Sequence, residues 1–206
     1  MDPGLSMAAD PQKNPQLPAM TAGARIGLLG GSFNPAHQGH LYISDAGLKR
    51  LRLDQVWWLV SPGNPLKQKG DLLPLGQRLE GARKITKGKK IKVLDFEGPL
   101  GLVYTIDTLK ALKGARGGVY FVWLMGADCF AELHKWKSWD EIMNLVPIAV
   151  FSRPGYSARA LAGEAAGKYA EFRHQENKIK TLAVTDPPCW GYIEIAEQDI
   201  SSTKLR

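Results

Sequence analysis

Ile26-Gly27-Leu28-Leu29-Gly30-Gly31-Ser32-Phe33-Asn34-Pro35-Ala36-His37-Gln38-Gly39-His40 is the stretch on which the fold turns. Its first four residues form a short apolar run of strand character, and the residues from Gly39 to Arg52 have the spacing of a helix. The glycines and the proline between them carry the chain from strand to helix through a tight turn. Gly30 and Gly31 read equally as plain turn residues and as a phosphate cradle, because tight turns are how backbone N–H groups reach a phosphate. His37 and His40, three apart at the start of a helix, can aim ring nitrogens at one place. The unpaired N–H groups of a helix start favour an anion there. A lone histidine on a helix is more often a surface or packed residue. Two of them linked through Gly39 at a strand-to-helix turn point instead to phosphate contact. Zinc suits the residue type, but the sequence offers no clear third ligand, so no metal site is assigned to the protein.

Working outward, strand and helix signals alternate. Strand-like runs fall at Ile26–Leu29, Val56–Val60, Ile91–Phe96, Val119–Met125, Ile148–Phe151 and Tyr192–Ile195. Helix-like runs lie between them at Gly39–Arg52, Leu75–Thr86, Thr105–Leu112, Asp128–Leu145 and Ala158–His174. Several of the strands are continuously apolar, as expected where helices cover both faces of a sheet. The pattern predicts an α/β fold, a Rossmann-like doubly wound parallel sheet in a single domain over residues 25–206. Ligands of such sheets bind beyond the carboxyl ends of the strands, at the switch point. Residues 1–24, rich in Pro, Ala, Gln and Asp and without periodicity, are expected to be a disordered N-terminal tail.

The chain has 206 residues, 44% hydrophobic and 23% charged, ordinary for a globular domain with a sizeable core. No apolar stretch is long enough to span a bilayer and no charged-then-apolar leader opens the chain, so no membrane association is expected. Cys129 and Cys189 have no metal-like spacing, and a cytoplasmic protein with reduced thiols is the simplest account. A net charge of +7 suggests anionic partners. Phosphorylated small molecules fit better than nucleic acid, because no aromatic residues interleave with the basic run Lys87–Lys92. The sequence carries no signal for an oligomeric state.

The opening stretch resembles the GGxFxPxHxGH pattern of the nucleotidyltransferases related to class I aminoacyl-tRNA synthetases. Ile200-Ser201-Ser202-Thr203-Lys204-Leu205-Arg206 resembles that family's second element, ISSTxxR. Within the family, Tyr104-Thr105-Ile106-Asp107-Thr108-Leu109, Gly126-Ala127-Asp128 with the following Trp136, and Ser152-Arg153-Pro154-Gly155-Tyr156 are similar to the bacterial nicotinate-nucleotide adenylyltransferases. One departure is Asn34, where many members of the family carry Asp.

The resemblance implies an enzyme that transfers the adenylyl group of ATP to nicotinate mononucleotide, giving deamido-NAD and pyrophosphate. It implies that Gly30, Gly31, Ser32, Phe33, His37, Gly39 and His40 bind ATP, together with Ser201, Ser202, Thr203 and Arg206 at the other end of the chain. His37, His40 and Arg206 would stabilise charge during the reaction. The acceptor would be held by Asn64 and Lys67 from Ser61-Pro62-Gly63-Asn64-Pro65-Leu66-Lys67, and by Thr105, Asp128, Trp136 and Arg153. On residue character alone Ser201–Thr203 read as a helix cap, Thr105 or Asp107 as another, and Trp139 as core. Trp136 is different: flanked by two lysines it is awkward to bury, and a flat indole there can stack on a pyridine ring. Mg2+ is expected to ride on the ATP phosphates, because no cluster of carboxylates in the sequence forms a protein cage. Phosphopantetheine adenylyltransferases and cytidylyltransferases share the two terminal elements, and a basic RNA-binding domain without catalysis is the reading from another class.

Overall fold

The computed structural model describes residues 17–63 and 72–195. In chain order they form β1 (Arg25–Gly31), α1 (Gln38–Arg50), β2 (Gln55–Val60), α2 (Leu75–Thr86), β3 (Ile91–Leu94), α3 (Glu97–Leu100) and α4 (Thr105–Ala115). Then come β4 (Tyr120–Gly126), α5 (Ala127–Ala131), α6 (Trp139–Leu145), β5 (Ile148–Phe151), α7 (Ser157–Leu161), α8 (Glu164–Lys168), β6 (Arg173–His174) and β7 (Trp190–Ile193). The sheet has seven strands in the order β3-β2-β1-β4-β5-β7-β6, and every pairing is parallel. The order reverses between β1 and β4, which is the switch point of a doubly wound sheet.

Register shows why these strands read as unbroken apolar runs. Across the sheet, Trp57, Leu28, Trp123, Ile148 and Trp190 lie level with one another and belong to one core layer. One residue further on, Trp58, Leu29, Leu124 and Ala149 lie level and belong to the layer on the opposite face. Successive residues point to opposite faces and both faces are covered, so neither can be polar. A slip of one residue would exchange the two layers, and the paired tryptophans of β2 make that exchange costly.

Two predicted helices are interrupted. The run Asp128–Leu145 divides into α5, a single 3-10 turn at Leu133–Lys135 and α6. The break falls at Trp136, whose backbone is extended (φ −81°, ψ 146°), and at Ser138, which is left-handed (φ 50°). The run Ala158–His174 breaks at Gly163, where an added Cβ would stand 3.2 Å from the carbonyl oxygen of Arg159 and 3.8 Å from Cα of Ala131. Beyond it the chain supplies α8 and then the two-residue strand β6, too short to show periodicity in the sequence. Residues 17–24, grouped with the tail on composition, make contacts of their own. Leu17 and Met20 pack against the layer containing Trp57, and Gly23 N–H donates to the Gly118 carbonyl at 2.7 Å. No helix among the described residues is long and apolar enough to cross a membrane.

Candidate active site

At the switch point, where β1 and β4 end, a cavity of about 280 Å³ opens. Gly30, Gly31, Ser32, His37, Gly39 and His40 form one wall, and the end of β4 with Asp128 and Trp136 forms the facing one. Ser152 and Arg153, which follow β5, close a third side.

The first wall is built by the two histidines themselves. His37 is the N-cap of α1, and its Nδ1 accepts the Gly39 N–H at 3.1 Å. His40 Nδ1 in turn accepts the His37 N–H, also at 3.1 Å. This is a reciprocal capping box made from two imidazoles in place of a hydroxyl and a carboxylate. Each Nδ1 is an acceptor, so in the neutral ring the proton sits on Nε2. The cap is thus complete without either ring needing to be charged. The rings lie 3.9 Å apart, centroid to centroid. Phe33 packs on His40 at 4.6 Å and stacks on Trp58 at 4.8 Å. Phe33 is 1% exposed and does not line the cavity; it is the platform beneath His40. Its left-handed backbone (φ 47°) is costly for a bulky residue, and the ring's lock between His40 and Trp58 holds it there. Below the platform, Trp58 Nε1 donates to Ser44 Oγ at 2.8 Å and Ser44 Oγ donates to the His40 carbonyl at 2.8 Å.

Gly30 is dictated by the neighbouring strand. A Cβ there would lie 2.6 Å from Cη2 of Trp123, whose six-membered ring presses against the backbone at the end of β1. Trp123 lines the cavity, and nothing in the sequence separates it from the other core aromatics.

From the third side Arg153 Nη1 donates to Asp128 Oδ2. The other oxygen of Asp128 is buried and has no hydrogen-bond partner among the described residues. Trp136 is half-buried, its lower part against the core and its upper part on the cavity. Its neighbouring lysines are turned to other tasks: Lys135 pairs with Glu132, and Lys137 reaches Asp107 and lies 4.2 Å from the ring centre of Tyr104. The extended backbone at Trp136 is what frees the indole from the helical path that its sequence predicts.

Thr105 is the first residue of α4 and does not line the cavity, although the contacts of Lys137 set that first turn beside Trp136. Asn64, Lys67, Ser201, Ser202, Thr203 and Arg206 lie outside the described residues. No group of three or more metal-binding side chains occurs among the described residues. Cys129 is exposed at the cavity, and burial pushes the Cys189 thiol up to about 12.

Residues 28–206 match the Cytidylyltransferase-like family. A protein from Methylorubrum extorquens named "Probable nicotinate-nucleotide adenylyltransferase" is 49% identical over 182 residues, covering 88% of this chain and 98% of that protein. A protein of the same name from Rhizobium johnstonii is 42% identical, covering 92% of this chain and 96% of its own. This chain is a nicotinate-nucleotide adenylyltransferase family member. The same fold is found in the Plasmodium falciparum nicotinic acid mononucleotide adenylyltransferase complexed with NaAD, with a TM-score of 0.66, 18% identity, and coverage of 88% of this chain and 82% of that one.

The electrostatics of the first wall give a measurable consequence. Burial, and secondarily the charge of Arg153, hold the His37 imidazole below its ordinary value. In the unfolded chain it titrates near ~6.5. Below that pH the unfolded state binds a proton that the folded state refuses, so stability present above about pH 6.5 is lost as the pH falls toward the folded value. Glu97, raised chiefly by burial, acts in the opposite sense. The comparison is therefore made against His37→Asn, which keeps a capping side chain but does not titrate. The melting temperature of the unsubstituted protein is expected to fall more steeply than that of the variant between about pH 7 and pH 5.5. Parallel curves would contradict the assignment.

Proposed function

We propose that this chain joins nicotinate mononucleotide to the adenylyl group of ATP, forming deamido-NAD and releasing pyrophosphate. The observation that carries the reading is the cavity at the switch point, where two backbone-locked imidazoles of one family motif face Asp128, Trp136 and Arg153. A phosphate oxygen of the acceptor attacks the α-phosphorus of ATP. One P–O bond forms, the bond to the β-phosphate oxygen breaks, and pyrophosphate leaves with the electron pair. The attacking phosphate is already anionic at neutral pH, so no protein nucleophile or strong base is needed. Positioning and charge stabilisation do the catalysis.

In this reading Gly30, Gly31, Ser32 and Gly39 bring backbone to the ATP phosphates, and His37 and His40 donate from Nε2. Phe33 acts from beneath, by holding His40. His40, whose ring Phe33 and His37 hold in place, stabilises the charge developing at the α-phosphate. Ser201, Ser202, Thr203 and Arg206 complete the ATP site. Trp136 stacks on the pyridine ring, Thr105 beside it contacts the nicotinate end, and Asn64 and Lys67 contact the acceptor. Asp128, held through one oxygen by Arg153, offers the other to ribose hydroxyls. Mg2+ arrives on the ATP phosphates as part of the substrate, and its charge is neutralised there by phosphate oxygens and not by a protein carboxylate cage.

ATP labelled in its α-phosphate and incubated with nicotinate mononucleotide and Mg2+ is expected to yield a labelled dinucleotide, and chelation of the cation is expected to stop the transfer. Label that stays in ATP, or appears only as free AMP, would overturn the reading.

A further inference from the structure

Arg78 is a basic residue on the first turn of α2, yet only 2% exposed. Its Nε donates to the Leu73 carbonyl at 2.8 Å. Nη1 donates to the Ser32 and Ser61 carbonyls, both at 2.7 Å, and Nη2 to the Pro62 carbonyl at 3.2 Å. One planar group therefore joins three separate segments: the phosphate loop after β1, the loop leaving β2, and the approach to α2. Leu73 is gripped twice, because its N–H also donates to Asn34 Oδ1 at 3.1 Å, and Asn34 itself is 2% exposed on the phosphate loop. Burying a cation is costly unless it is fully hydrogen-bonded, and an apolar side chain of similar size would fill the same space at lower cost. What an apolar side chain cannot do is hold carbonyls of three segments at fixed separations. Lysine cannot either, since it carries one compact ammonium in place of a rigid fork.

Ser32 lines the cavity on the ATP side, and the segment beginning at Ser61 leads toward the acceptor residues of the proposed reaction. We propose that Arg78, with Asn34, is a positioning residue for adenylyl transfer: it sets the distance between the phosphate loop at Ser32 and the segment at Ser61 and Pro62, which in sequence precedes the acceptor residues of the proposed reaction. This inference rests on the function proposed above. Each substrate still meets its own loop when the clamp is lost, but the attacking oxygen and the α-phosphorus no longer line up. Misplacement of about 1 Å is enough to lower a rate by about a hundredfold.

The test is Arg78→Lys in the full chain, measured by calorimetry and steady-state kinetics with ATP and nicotinate mononucleotide. The expected result is binding of each substrate at the stoichiometry of the unsubstituted protein, with Kd within about threefold, while kcat falls by about thirtyfold or more. A kcat within about threefold of the unsubstituted protein overturns the proposal. So does a loss of kcat matched by an equal loss of binding stoichiometry, which marks a folding role alone, or one explained by weakened Kd. If Arg78→Lys does not fold, Asn34→Ala releases the Leu73 N–H from the phosphate loop, and is expected to lower kcat about fivefold at unchanged Kd. Unchanged kcat in that variant counts against the clamp. If the unsubstituted protein forms no dinucleotide, it is the proposed function that fails, and not the role of Arg78.

Discussion

His40→Ala is expected to lower kcat by about 10²–10³-fold, the effect of removing one preorganised donor from a developing negative charge. The fold should survive, because the substitution removes half of the capping box and leaves the other half. His37 Nδ1 still accepts the Gly39 N–H, while the His37 N–H loses its partner. The expected stability loss is that of one helix cap, about 1 kcal/mol. Phe33 also loses a packing surface, but its stacking on Trp58 remains. The large loss is therefore catalytic: no other described side chain occupies the same position between the phosphate loop and the helix start. Turnover with ATP and nicotinate mononucleotide, measured beside a thermal melt, checks both halves. Turnover near that of the unsubstituted protein would remove His40 from the chemistry.

Trp136→Ala should separate the two substrates. Trp136 lines the cavity on the wall opposite the histidines, together with Asp128. Stacking of a base on an aromatic side chain is worth about 1–3 kcal/mol by alanine substitution, so the KM for nicotinate mononucleotide should rise by roughly 5- to 140-fold. The KM for ATP should stay within about twofold, because the ATP side of the site is built from β1 and α1, which Trp136 does not support. Trp136→Phe should keep most of the affinity, since a smaller ring still offers a flat face. Equal losses for both substrates would mean that the indole shapes the cavity as a whole and does not stack on the pyridine.

Much of this was legible in the sequence, and for a physical reason. A strand buried on both faces must be apolar throughout, so Val56–Val60 and Ile148–Phe151 announce themselves, and their alternation with helical runs leaves few topologies other than a parallel doubly wound sheet. The glycines and histidines between residues 30 and 40 were legible because their chemistry depends on local backbone geometry. Arg78 was not. A basic residue in a helix reads as surface, and only the arrival of carbonyls from three distant segments makes it interior. Trp123 was hidden for the opposite reason: it looks like core and is core, yet its ring also forms the surface against Gly30. The helix expected over Asp128–Leu145 failed at Trp136, where every residue is compatible with a helix and the site requires an extended backbone. Tertiary placement of one side chain overrode local propensity there.

The central claim is that the enzyme transfers an adenylyl group from ATP to a pyridine mononucleotide. Pyrophosphate release measured with ATP and a panel of acceptors, namely nicotinate mononucleotide, its amide analogue and phosphopantetheine, tests it most directly. Release should be fast with a pyridine mononucleotide and at background with phosphopantetheine. Release with phosphopantetheine and none with either pyridine nucleotide would contradict the account.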